Sequence, residues 1–155
     1  MTEIERKFLL KHGYSVDGLL YTSKCRITDT YLTNNLRVRN KDNTNEWIVT
    51  LKGNGDIERS ETEMIITVEP KFSNIIPLTK TRLTIPYQHQ NFEVNIFDNI
   101  YYKGEQLVLI EIELNDKYQN ISLPEWVGEE VTYDTRFYGH QLAAFIQFFD
   151  FSTVK

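Results

Sequence analysis

Glu3, Glu5 and Lys7 stand at alternate positions in the opening run Glu3-Ile4-Glu5-Arg6-Lys7-Phe8. Side chains alternate across an extended strand, so these three share one face. Carboxylates two residues apart can grip one divalent cation, and the neighbouring ammonium can hold an anion that the cation bridges. Taken alone, the run also suits a solvated strand at a chain end. Repetition along the chain changes that balance. Arg37 and Arg39 alternate with Leu36 and Val38, Arg59, Glu61 and Glu63 share a face, and so do Lys80 and Arg82. Glu93 has Asn95 two positions on, and Lys52 ends an apolar strand. Glu111 and Glu113 hold one face while Val108, Ile110, Ile112 and Leu114 hold the other.

An open sheet would place such charges in water and its apolar face on a core. Three details favour a closed one. The charges come as like-signed doublets, Arg-x-Arg and Glu-x-Glu, where a surface is safer with mixed signs. Lys and Arg concentrate in mid-strand. The apolar faces are too extensive for one helix to cover unless the sheet curls. A lumen lined by both signs needs partners for its charges. A polyanion with divalent metal supplies them: Arg suits bidentate phosphate contact, and Glu-x-Glu suits Mg²⁺ or Mn²⁺. A linear triphosphate matches that demand.

The elements that must position these groups are mostly strands. The pattern predicts them over 3–10, 24–32, 36–39, 46–52, 58–68, 79–85, 91–96 and 106–114, with turns at Asn34-Asn35, Asp42–Asn45 and Gly53–Asp56. A single helical turn is expected within His12–Gly18, a short helix within Pro70–Pro77, and a capped turn at Ser122–Gly128. The one long helix is expected from Asp134 to Phe149, where Leu142, Phe145, Ile146 and Phe149 recur at helical spacing and Asp134 or Thr135 caps the start. Short strands and one late helix indicate an antiparallel barrel or strongly curved sheet.

A chain of 155 residues, 41% hydrophobic and 25% charged, suggests one domain over 1–155 with a full core. The net charge of -5 disfavours a general nucleic-acid binder. A lone Cys25 forms no internal disulfide and no cysteine zinc site, which suggests a reducing compartment. The charged start is no signal peptide and no apolar run is long enough to span a membrane, so a cytoplasmic location is expected. Lys52-Gly53-Asn54-Gly55 lacks the phosphate-loop order of a nucleotide-binding lysine. His12, His89 and His140 are scattered and read as surface or packing residues, and Cys25 reads as a small buried hydrophobe.

The ordered set of motifs resembles the CYTH domain, or triphosphate tunnel metalloenzyme, superfamily. It runs from Glu3-x-Glu5-x-Lys7 through Tyr31-Leu32, Leu36–Arg39, Thr50–Gly53, Arg59-x-Glu61-x-Glu63, Lys80-x-Arg82, Phe92–Phe97 and Ile110–Leu114. It continues through Leu123–Gly128 and Glu130–Thr132 to Asp134–Tyr138. The resemblance implies a mainly β (α+β) fold, an eight-stranded antiparallel β-tunnel, with the C-terminal helix and short helices packed outside. It implies metal ligands Glu3, Glu5, Glu111 and Glu113, with Glu61 and Glu63 near the metals or bracing the basic residues. Lys7, Arg37, Arg39, Lys52, Lys80, Arg82 and Arg136 would grip phosphates, with Arg59 a looser candidate, and Glu5, Glu113 and Lys7 would stand nearest the reaction. The chain departs from the pattern at Asn95, where many members carry Asp, and at Gly139 and Gln141, where members often carry Asn.

The implied activity is metal-dependent hydrolysis of inorganic tripolyphosphate, or of thiamine or nucleoside triphosphate, with Mg²⁺ or Mn²⁺. The alternatives are adenylate cyclase chemistry in the same lining and a non-catalytic polyphosphate or nucleotide binder. The expected partner is a small-molecule triphosphate, with no nucleic acid or membrane, for a monomer or homodimer.

Overall fold

In the computed structural model, residues 1–148 are described, and the helix positions expected beyond them, including Phe149, lie outside the described residues. The strands are β1 (Thr2–Leu10), β2 (Ser23–Tyr31), β3 (Leu36–Lys41), β4 (Trp47–Lys52), β5 (Glu58–Ile66), β6 (Leu78–Tyr87), β7 (Gln90–Tyr102), β8 (Glu105–Glu113) and β9 (Val127–Glu130). They pair in the order β5-β4-β3-β2-β6-β7-β8-β1-β9, and a further β5–β1 pairing closes β1 to β8 into a ring. Neighbouring strands pair antiparallel, so hairpin connections suffice between most of them. Closure also removes the free edges that an open sheet would leave. The eight-stranded antiparallel barrel expected from the motifs is therefore present.

The ring closes through a short joint, Thr2–Ile4 against Glu58–Ser60, extended by Glu5 N–H donating to the Ile57 carbonyl. Beyond that joint the same edge of β1 is taken by β9, through Phe8 and Leu10. This strand is a correction. The turn expected within Ser122–Gly128 forms, with Val127 N–H donating to the Pro124 carbonyl, but its last residues, Val127 and Gly128, run on into β9 and join the ladder. The vacant edge of β1 decides the outcome for those last residues.

The apolar side chains pack in two clusters, one outside the barrel and one closing an end of its lumen. Phe8, Leu83, Ile85, Phe92, Val94, Ile110 and Ile112 form one, covered by Val16, Leu19, Ile121 and Trp126 from the connecting segments. Trp126 meets Phe92 edge-on at 5.7 Å, a geometry that suits aromatic quadrupoles. The second cluster gathers Leu78, Phe97, Leu109, Phe137, Leu142 and Ile146 under α1 (Gly139–Gln147). The expected Asp134–Phe149 helix is thus two pieces. Asp134 caps a 3₁₀ turn, Thr135–Phe137, through Arg136 N–H, and Tyr138 is extended before α1 begins. The single turn near the start is a 3₁₀ turn at Val16–Gly18. The helix expected between Pro70 and Pro77 is absent; the segment is tied down by Ile76, whose backbone exchanges hydrogen bonds with the Gln147 side chain. No helix among the described residues is long and apolar enough to cross a membrane.

Candidate active site

Alternation along each strand sends the doublets inward. Glu3, Glu5, Lys7, Arg37, Arg39, Lys52, Arg59, Glu61, Glu63, Lys80, Arg82, Glu111 and Glu113 all line one cavity of about 210 Å³. Asp29, Lys41 and Glu93 join them, so eight basic and eight acidic side chains share this wall. With opposite charges matched, the lining is compatible with burial when empty, yet it still presents a full set of cations to an anion.

The lumen is polar along its length and apolar at one end. The inward rows run Glu113-Glu111-Leu109 on β8, Glu93-Asn95-Phe97 on β7 and Arg82-Lys80-Leu78 on β6. The antiparallel registers place the three apolar residues at the same end. Phe137 and Leu142 complete that wall. Glycine at 139 leaves room there for the Tyr31 hydroxyl, which a Cβ would displace.

Glu5 faces Glu113 across the β1–β8 ladder, and Lys7 faces Glu111. Glu5 touches the cavity but is otherwise enclosed by protein, and that burial pushes its carboxyl well above the usual range, with the Glu111 charge and hydrogen bond adding to it. Burial acts on Glu111 in the same sense, but Lys7 and Lys80 outweigh it and hold Glu111 well below the usual range. Two carboxylates this close resist carrying both charges, and the cost falls on Glu5. Glu61 is pushed up to about 7 by burial and by its contact with Glu3, and its Oε2 has no hydrogen-bond partner among the described residues. Burial also raises Glu113, together with the charges of Glu3 and Glu93.

The cations are held from behind. Arg39 donates through Nε and Nη2 to both Asp29 oxygens, at 2.7 and 2.8 Å. Arg82 donates from Nε to Asn95 Oδ1 at 2.8 Å and pairs with Glu93 at 2.7 Å. Asn95 in turn donates to Glu111 Oε1 at 3.1 Å, so an amide links the basic and acidic sets. Lys7 Nζ donates to the Phe137 carbonyl at 3.2 Å. Lys52 and Arg59 approach Glu3 at 3.5 and 3.4 Å. Burial, with Arg82 and Arg39 nearby, pushes Lys80 down to about 7. Arg37 is 6% exposed, and its Nε has no hydrogen-bond partner among the described residues. An orphaned donor in a buried guanidinium is costly unless something fills the space before it.

Arg136 departs from the placement expected of a phosphate ligand. It lies outside the cavity, donates to Asp134 at 2.7 Å and stacks over Tyr102 and Phe137. The 3₁₀ turn points it away from the lumen. Asp29, Tyr31 and Glu93 line the site without having been singled out as ligands. Asp29 and Tyr31 share the β2 face opposite Arg39 and Arg37, a signal visible once β2 and β3 are paired. His140, expected as a surface or packing residue, lies beside Tyr138, 5.8 Å away, in a recess shared with Lys52 and Arg59. Tyr138 also bonds Asp56 in the β4–β5 turn. Cys25 is half-buried rather than a core residue.

A closed antiparallel barrel with facing carboxylate and cation sets defines a tunnel for a metal-bound polyanion. No family model matches the sequence. The chain is 34% identical over 155 residues to an inorganic triphosphatase of Nitrosomonas europaea, spanning 92% of this chain and 97% of that one. It is 29% identical over 148 residues to an inorganic triphosphatase of Acetivibrio thermocellus, at 90% and 92% coverage. The crystal structure of the inorganic triphosphatase NE1496 matches with a TM-score of 0.59 at 30% identity, covering 91% of this chain and 97% of that one. The chain belongs to the inorganic triphosphatases of the CYTH, or triphosphate tunnel metalloenzyme, superfamily.

Membership implies a divalent metal, and the donors present fit one. Every inward acid near β1 and β8 is a carboxylate, the ligand type that hard cations prefer. Among the described residues no three acidic, histidine or cysteine side chains close around an ion unaided.

Proposed function

We propose that this chain hydrolyses the terminal phosphoanhydride bond of inorganic triphosphate with Mg²⁺ or Mn²⁺. It does so as one domain over 1–155, acting on a free small molecule in the cytoplasm, as a monomer or homodimer. The observation that carries the reading is the set of buried, inward cations led by Arg37, whose Nε lacks a hydrogen-bond partner among the described residues, lining one cavity with the Glu5–Glu111 pair. The cavity's size supports an inorganic substrate: about 210 Å³ falls below the roughly 300–1,000 Å³ of pockets for drug-sized organic ligands.

Arg37, Arg39, Lys52, Lys80 and Arg82 bind and align the phosphate chain through charge-assisted hydrogen bonds, with Arg59 at the margin. Glu3, Glu5, Glu111 and Glu113 would hold a divalent ion, which when bound would offset charge on the phosphate oxygens and acidify water. Glu61 and Glu63 brace Lys52 and the ion-binding acids from β5. Glu113, made more basic by burial and by its acidic neighbours, accepts the proton of the attacking water. The new bond joins that water oxygen to the terminal phosphorus, and the bridging P–O bond breaks. Lys7, on the lumen face of β1, offsets charge growing on the leaving oxygen.

A phosphate-release panel tests this, with tripolyphosphate, thiamine triphosphate and ATP each offered with Mg²⁺ and Mn²⁺ and cyclic AMP followed in the ATP arm. Tripolyphosphate should turn over fastest. Cyclic AMP as the main product, or tight binding with no turnover, would replace the hydrolase reading.

Lys80 supports a pH prediction. Its ammonium, pushed down to about 7, is partly neutral in the empty tunnel at neutral pH and largely neutral at pH 8 to 9. A bound polyanion favours the charged form, so the folded, liganded amine regains its proton. Metal-free binding of tripolyphosphate at pH 8 should therefore take up protons, read by calorimetry in buffers of different ionisation heat. The Lys80 share should fade below pH 6 and be missing in Lys80→Met. Equal uptake by the native chain and this variant would show that Lys80 is not the group recharged.

A further inference from the structure

Asp29 is a buried carboxylate that the reaction above does not use, and it occupies ground where an anion would otherwise bind. It is 1% exposed, on the lumen face of β2. Its two oxygens take the Nε and Nη2 donors of Arg39, at 2.7 and 2.8 Å. That is the edge a guanidinium offers to a phosphoryl group. Lys80 and Arg37 are the other cations that act on it, and together they hold its carboxyl far below the usual range against the effect of burial. The β2–β6 register sets Asp29 opposite Leu78, at the end where the inward rows turn apolar. Phe97, Phe137 and Leu142 stand behind Leu78. The innermost cations thus already have an anion, and apolar side chains lie next to it.

We propose that Asp29 is a built-in terminal anion that caps the phosphate track at the apolar end of the tunnel and excludes a fourth phosphoryl group. Asp29 is a specificity residue. It rests on the triphosphatase reading, because it assigns a length limit to that same site. A longer chain would have to lodge its end against the carboxylate or strip it from Arg39. Neither is favourable where both oxygens are already paired and solvent is excluded.

The test compares tripolyphosphate with tetrapolyphosphate, for native enzyme, Asp29→Asn and Asp29→Glu. Binding is measured without metal by calorimetry, and hydrolysis is measured separately with Mg²⁺. The native chain should favour the shorter ligand. Asp29→Asn removes the charge at nearly constant shape and should raise the tetra-to-tri affinity ratio by roughly 10–100-fold, the range expected for one charge-assisted contact. Asp29→Glu keeps the charge and should keep the native ratio or lower it. A folded Asp29→Asn chain with an unchanged ratio overturns the proposal. Should that variant fail to fold, Asp29→Glu decides: a raised ratio overturns the proposal, and a native or lowered one supports it. A native chain that binds both lengths but hydrolyses neither removes the triphosphatase reading, and the binding ratios still judge Asp29.

Discussion

Glu5→Gln should lower kcat/KM for tripolyphosphate on the order of 10³-fold, the upper range for losing one preorganised electrostatic group in a water-poor site, while the melting temperature holds or rises. The two outcomes have one cause. Without ligand, burial and the Glu111 charge disfavour the Glu5 carboxylate, while Lys7 and Lys80 favour that of Glu111. A glutamine has nearly the same shape and can still donate to Glu111, so folding loses nothing and a costly carboxylate pair is relieved. In the working state the same position must be an anion, to hold the divalent ion against Glu111, and an amide is a poor substitute. Titration of Mn²⁺ should show weakened metal affinity in parallel with the lost turnover. A variant that keeps full rate would mean that the ion-binding acids lie elsewhere in the lumen.

Arg37→Met should raise KM for tripolyphosphate about 100-fold and raise the melting temperature of the empty protein. Arg37 is buried with one nitrogen unsatisfied, and its charge weighs on Lys52, whose ammonium is disfavoured first by burial and then by Arg37. Replacing such a cation with an apolar side chain of similar length removes a desolvation penalty. The cost is a donor to Thr50 Oγ1, a 3.3 Å contact, a hydrogen bond with Tyr31 and an attraction to Asp29. With substrate present the balance reverses, because charge-assisted contacts worth about 1.5–3 kcal/mol each are missing. Thermal shift with and without ligand, beside steady-state kinetics, reads both signs. A fall in stability with unchanged KM would make Arg37 a structural residue.

The placement of the charged doublets was legible because a strand has period two and a closed sheet has one inside. Arg37-x-Arg39, Lys80-x-Arg82 and Glu111-x-Glu113 needed only strand assignment for their common face to follow, and the barrel brought those faces together. Arg136 was misplaced because motif order carries no information about a turn of three residues; the Asp134 cap aims its side chain outward. β9 was hidden for a related reason. Ser-Leu-Pro-Glu is a sound start for a helical turn, and only the unfilled edge of β1, a feature distant in sequence, favours a strand there. Asp29 stands between Thr28 and Thr30 with no second charge two positions away, and its significance depends on Arg39 across the ladder. What escaped the sequence was thus set by contacts between distant segments.

The joint between β1 and β5 is the shortest in the ring, three paired residues, and Glu3 and Arg59 sit opposite each other within it. Glu3 and Arg59 are themselves walls of the cavity. A barrel that splits along its weakest line would therefore open through its own catalytic surface, and any ligand bridging the two strands acts as a stitch. Amide deuteration at the seam should slow most when polyphosphate is bound, and heat should silence the enzyme before it melts the outer packing.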